Sequence, residues 1–193
     1  MSFESIGIRD DGQALAQPDR LAWFVRRRHF TSSGAGPFYA EARASEERSM
    51  EKRIIAGGVP ETGGPFNLCV GYGNLIFVSG LPPFDEAYST ALREARATGR
   101  PIPPFPDVSF DRQVRTVMDH MKALVEAAGS NMDCLLKVIV WLKDQAKQEE
   151  FDRIYRTYFS NQEALPARTR MQAGRTPMDC ALEVEAIAYV PRT

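Results

Sequence analysis

The chain of 193 residues has only three cysteines and two histidines, and it has no long apolar run. Each shortage removes a class of function. Cys69, Cys134 and Cys180 lack the spacing of a zinc or iron–sulfur site, and His120 has no second His or Cys at a ligand spacing, so no metal is expected. An odd cysteine count without a secretory leader fits reduced thiols in a cytoplasmic protein. No segment approaches the ~20 apolar residues that cross a bilayer, which excludes a membrane role. The formal net charge is −1. It supplies no field for nucleic acid or another polyanion. P-loop, nucleophile-elbow and dinucleotide patterns are also missing, so the expected chemistry uses no cofactor.

What is present falls into two parts. Residues 1–56 form an N-terminal extension of no assignable role, with a basic cluster at Arg26-Arg27-Arg28-His29, an apolar group at Leu21–Val25 and a loop-like Ser32–Pro37. The cluster reads as a solvated face. From residue 57 the pattern is that of one organised domain. Phe66–Gly71 and Leu75–Ser79 read as strands joined by Tyr72-Gly73-Asn74, a first hairpin. A polar helix over Tyr88–Ala97 and the proline-rich Gly99–Pro106 interrupt the strand pattern, an insertion at about 84–107 placed to wall or cover a site. Ser109 caps a helix whose stripe is Phe110, Val114, Val117, Met118, Met121, Leu124, Val125 and Ala128, and Gly129 stops it. Leu135–Lys143 reads as a strand with Leu136, Val138, Val140 and Leu142 on one face and Trp141 on the other. A second helix covers about Lys147–Ser160, with Phe151, Ile154, Tyr155 and Tyr158 at helical spacing.

The C-terminal stretch carries the chemistry. Arg168, Arg170 and Gln172 alternate with Thr169, Met171 and Ala173, and turn residues Gly174–Pro177 follow. Leu182, Val184, Ala186, Ala188 and Val190 then alternate with Glu183, Glu185, Ile187 and Tyr189. Folded as a hairpin, this places Arg168 across from Glu183 or Glu185. Such a face is either a solvated ion-pair ladder or a carboxylate-binding site, in which an arginine fork holds the anion and a glutamate works on water.

Pro166-Ala-Arg-Thr169 followed by Glu183-Val-Glu-Ala-Ile-Ala188 resembles the C-terminal signature of the RidA (YjgF) family of enamine/imine deaminases. Gly63-Gly-Pro-Phe66, Gly73-Asn74, Val78-Ser-Gly80 and Val125-Glu-Ala-Ala-Gly129 extend the resemblance over roughly residues 57–191. It implies an α+β, two-layer fold like that of RidA and chorismate mutase, with a single mixed sheet and two helices on one face. It also implies a homotrimer with sites between subunits. The implied reaction is hydrolysis of a small carboxylate-bearing enamine or imine to the oxo acid and ammonia. By the same resemblance Arg168 holds the substrate carboxylate, Glu183 activates water, and Ser79 lines the cleft. Phe66 stands where many members have Tyr, and Arg170 where deaminating members commonly have Cys. The second helix has no clear counterpart of the family's Asn. The extra cation suggests a larger or dicarboxylic substrate of the 2-aminomuconate type, met by Arg170 or Arg175. The alternatives are a non-catalytic ligand-binding or protein-interaction member and a hydrolase of a different C–N bond.

Overall fold

A computed structural model describes residues 50–191. The expectations for Leu21–Val25, for the basic cluster and for most of the extension lie outside the described residues. Among these, six strands form one sheet, β1 (Lys52–Ile54), β2 (Cys69–Tyr72), β3 (Leu75–Leu81), β4 (Leu135–Leu142), β5 (Ala167–Gln172) and β6 (Leu182–Tyr189), in the order β1-β2-β3-β6-β4-β5. All neighbouring pairs are antiparallel except β4 with β5. The sheet begins at Lys52, ahead of the expected boundary at residue 57.

Helix α2 (Phe110–Ala127) and helix α3 (Gln148–Arg156) pack against one face of this sheet, which gives the expected two layers. Ser109 caps α2 by accepting from the Arg112 N–H, satisfying an amide that the first turn leaves free. Val114, Val117, Met118, Met121, Leu124 and Val125 are then buried against Ile76, Val78, Val138, Val140, Val184 and Ala188. Each side chain of this size stabilises the fold by about 1.5–3 kcal/mol on leaving water. On the opposite face no element among the described residues covers the sheet, and Phe77 there is 39% exposed.

The insertion supplies a third helix, α1 (Glu86–Thr98), capped by Asp85 and ended by Gly99 at φ 66°. Its Tyr88 and Leu92 form a separate small cluster with Phe84 and Cys180, which Phe105 and Met178 adjoin. Arg93 donates to the Glu61 carbonyl at 2.8 Å, and Arg96 donates to the Thr62 carbonyl. The insertion is thereby tied to the segment that leads into Phe66.

Two expectations fail. The first hairpin forms as anticipated, β2 with β3, but the C-terminal one does not. β5 lies parallel to β4 at the sheet edge, and β6 lies between β3 and β4. The reason lies in the side chains. β6 and β4 each offer a continuous apolar row to the helices and belong in the centre, whereas β5 offers Arg168, Arg170 and Gln172 and is tolerated only where the helix layer ends. Gly174–Pro177, which read as a tight turn, instead belong to a longer connection over 173–181 that carries the chain across β4. Leu136 is likewise not on the core face. A register irregularity between Leu135 and Lys137 buries Leu135 to 4% exposure and leaves Leu136 45% exposed.

Candidate active site

Arg168 is in register with Val138 of β4, whose side chain is buried under the helices. Since alternate residues share a face, Arg168 and Arg170 both point to the helix side. There α3 meets them with Asp152. One carboxylate oxygen, Oδ1, lies 2.8 Å from Nη1 of Arg168 and 2.8 Å from Nη1 of Arg170. Arg170 also donates through Nη2 to Oε1 of Gln148 at 2.9 Å. The Arg168 guanidinium stands over the ring of Tyr155 at 4.9 Å and that of Phe151 at 5.9 Å, both within cation–π range. It is therefore held by one acid and two rings, and it lines a cavity of about 150 Å³ with Tyr155, Arg156, Leu165 and Pro166. Two guanidiniums against one carboxylate leave this cluster with a net positive charge.

Glu183 is in register with Trp141 and alternates with Leu182 and Val184, which are buried. It points to the open face. Burial raises its carboxyl above the ordinary range, and neighbouring Glu185 pushes it further the same way. Its side chain lies over Gly80. A Cβ built at that glycine would stand 2.1 Å from Glu183 Oε1, so a side chain there would push the Glu183 carboxylate out of its present place. Ser79 donates through Oγ to the Asn67 carbonyl at 2.8 Å, which fastens the segment beside Phe66. Phe66 itself is 53% exposed.

Arg168 and Glu183 therefore do not come together within one chain. β4 lies between their strands, and their rows are three residues apart along it. That is roughly 10 Å across and roughly 10 Å along, on opposite faces of the sheet. The expected Arg168–Glu pairing across a hairpin is corrected accordingly. Arg170 is engaged by Asp152 and Gln148, and Arg175 by Asp179 at 2.7 Å. Neither presents a free fork to a second carboxylate. The sequence reading missed Asp152 and Gln148. Their signal was a polar line four residues apart on α3, beside the apolar stripe. No group of three or more His, Cys, Asp or Glu able to hold a metal occurs among the described residues, and no described helix is long and apolar enough to cross a membrane.

These features define a small mixed-sheet domain with a fixed arginine on one side and a raised carboxyl on the other. The chain belongs to the Endoribonuclease L-PSP family, which includes the RidA, YjgF and RutC proteins, and its match spans residues 58–190. A RutC family protein of Pyrococcus horikoshii is 31% identical over 140 residues, 72% of this chain and 98% of its own. The 2-iminobutanoate/2-iminopropanoate deaminase of Escherichia coli K12 is 30% identical over 140 residues with the same coverage. The crystal structure of the E. coli YjgF gene product gives a TM-score of 0.57 at 29% identity, covering 72% of this chain and 98% of that one.

Proposed function

We propose that this protein hydrolyses small 2-imino or enamino monocarboxylates to the corresponding 2-oxo acids and ammonia, at sites formed between the copies of a homotrimer. The observation that carries the reading is the Arg168 guanidinium, fixed at the rim of a cavity by Asp152 and Tyr155. A guanidinium in that setting binds a carboxylate through its fork. The name and about 30% identity of the E. coli deaminase support the reaction class.

In the reaction, the carboxylate rests on Arg168 and the adjoining C=N carbon is fixed for attack. Water adds to that carbon while Glu183 accepts its proton. Glu183 passes that proton to the imine nitrogen. As the C–N bond of the tetrahedral intermediate breaks, the hydroxyl gives up its own proton through the same carboxylate to the leaving amine, so that the carbonyl forms and ammonia departs. A carboxyl raised by burial is suited to both proton transfers near neutrality. Because Arg168 and Glu183 face opposite ways, the site takes the arginine from one copy and the glutamate from the next. The open face supports this assembly. It bears Phe77, Ile139 and Ile187 around a hollow of about 230 Å³, an apolar surface that a second sheet would bury.

The net positive charge of the Arg168–Asp152–Arg170 cluster suits one carboxylate. A second would have to displace Asp152 from Arg170, so the dicarboxylic substrate loses the support that the extra cation gave it. The test is ammonia release from freshly generated 2-iminobutanoate and 2-iminopropanoate. Acceleration that disappears in Arg168→Ala is expected. Binding of 2-oxobutanoate without any ammonia release would favour the non-catalytic alternative instead.

A further inference from the structure

Tyr155 belongs to the apolar stripe of α3 and is 2% exposed. Its ring is packed between Phe151, 5.5 Å away by centroids, and Phe159, 4.7 Å away. A phenylalanine would satisfy that packing. The hydroxyl is the anomaly, because it is buried and has no hydrogen-bond partner. Buried hydroxyls of that kind are uncommon, since leaving one unsatisfied costs about 1–3 kcal/mol. Only four such side-chain atoms occur among the described residues, and another, Nε of Arg170, belongs to the same cluster. Tyr155 and Arg168 line one cavity, and the guanidinium lies 4.9 Å above the ring.

We infer that Tyr155 is a substrate-binding residue, whose hydroxyl donates a hydrogen bond to the same carboxylate that Arg168 holds. This rests on the proposed carboxylate role of Arg168 and adds a second donor to it. Burial pushes the phenol up to about 12, although Arg168 opposes the shift. The group therefore keeps its proton at any working pH and can donate to an anion. Arg168 donates one edge to Asp152, which leaves its remaining N–H groups and the Tyr155 hydroxyl as donors for one ligand group. Two rigid donors of different direction select a planar carboxylate over a neutral carbonyl.

The experiment is a calorimetric titration of the full chain with 2-oxobutanoate, the product analogue, using the unaltered protein, Tyr155→Phe and Arg168→Ala, with thermal midpoints measured in parallel. Tyr155→Phe removes one oxygen and preserves the ring. The expected result is roughly a tenfold or larger rise in Kd, with a midpoint equal to or above that of the unaltered protein because an unsatisfied buried hydroxyl is gone. With the imine substrate, KM should rise while kcat stays within about threefold. Unchanged affinity in Tyr155→Phe, with binding abolished in Arg168→Ala, would overturn this inference and leave the role of Arg168 standing. Weaker binding together with a lowered midpoint would assign the effect to packing, and would also overturn it. Failure of the unaltered protein to bind 2-oxobutanoate would overturn both readings.

Discussion

The two faces of the sheet treat charge differently. On the helix side, Arg168 and Arg170 reach the sheet edge and are met by Asp152 and Gln148 from the chain's own α3. On the open side, Glu183 and Glu185 stand two residues apart on one strand, and neither forms an ion pair among the described residues. One face holds its arginine still through the chain's own helix, with one positive charge in excess. The other carries the Glu183 and Glu185 carboxylates and Lys137 beside exposed apolar groups, and in the proposed assembly a further copy of the chain would cover it. In the proposed reaction, position is set within the subunit, whereas reactivity depends on the assembly.

The largest break in this contrast is expected from Ile187→Glu on the open face. A carboxylate in the middle of the apolar surface should dissociate the proposed trimer and remove the proposed activity with it, seen as a fall in mass by light scattering. Retention of full activity by a monomer would disprove the shared site. Arg168→Ala comes next. Loss of a charged hydrogen-bonding anchor is worth about 3–5 kcal/mol, or roughly 10³-fold in kcat/KM, and the oligomer should be untouched.

Glu183→Gln should lower kcat by about 10²-fold and remove the acidic limb of the pH–rate profile. Its stability effect has the opposite sign. The folded state raises this carboxyl, so the group favours folding most below the ordinary carboxylate range and loses that contribution as pH rises through its elevated value. The glutamine variant should therefore melt higher than the unaltered protein at pH 7 and show little difference at pH 4. Smaller again is Asp152→Ala, which leaves two half-buried guanidiniums facing each other. It should cost about 2 kcal/mol, a fall of about 6 °C in thermal midpoint. Adding Arg170→Ala should recover part of that loss, because the pair is coupled. Arg175→Ala sharpens the comparison from below. Its partner Asp179 is exposed and local, and no change in midpoint or activity is expected.

The elements legible in the sequence are those whose period is complete within one segment. The stripe of α2, its Ser109 cap, the alternation of β6 and the β2–β3 turn all appear where they read. β5 shows where local reading stops. Its alternation gave a strand correctly, but alternation carries no information about neighbours. Turn residues at 174–177 suggested the wrong partner, since the competing choice, β6 in the centre beside β4, depends on residues 30 to 50 positions away. The candidate site divides in the same way. Arg168 and Glu183 are visible as a motif, while the acid that fixes Arg168 comes from a helix turn whose polar side looks like any solvated face. Gly80 likewise reads as part of a strand step, and its closeness to Glu183 emerges only when β3 lies beside β6.

The grip of Asp152, Tyr155 and Phe151 on Arg168 also bears on how long a ligand stays. A free arginine side chain carries about 2 kcal/mol of rotamer entropy, which a ligand would ordinarily have to freeze. Here folding has already frozen it. A short monocarboxylate of the proposed kind, with few atoms to contribute contacts, would give up less of its interaction energy to ordering the protein. The gain falls chiefly on the dissociation rate, since arrival is limited by diffusion and orientation. Loosening the grip without touching the arginine should therefore shorten residence while leaving the rate of capture almost unchanged.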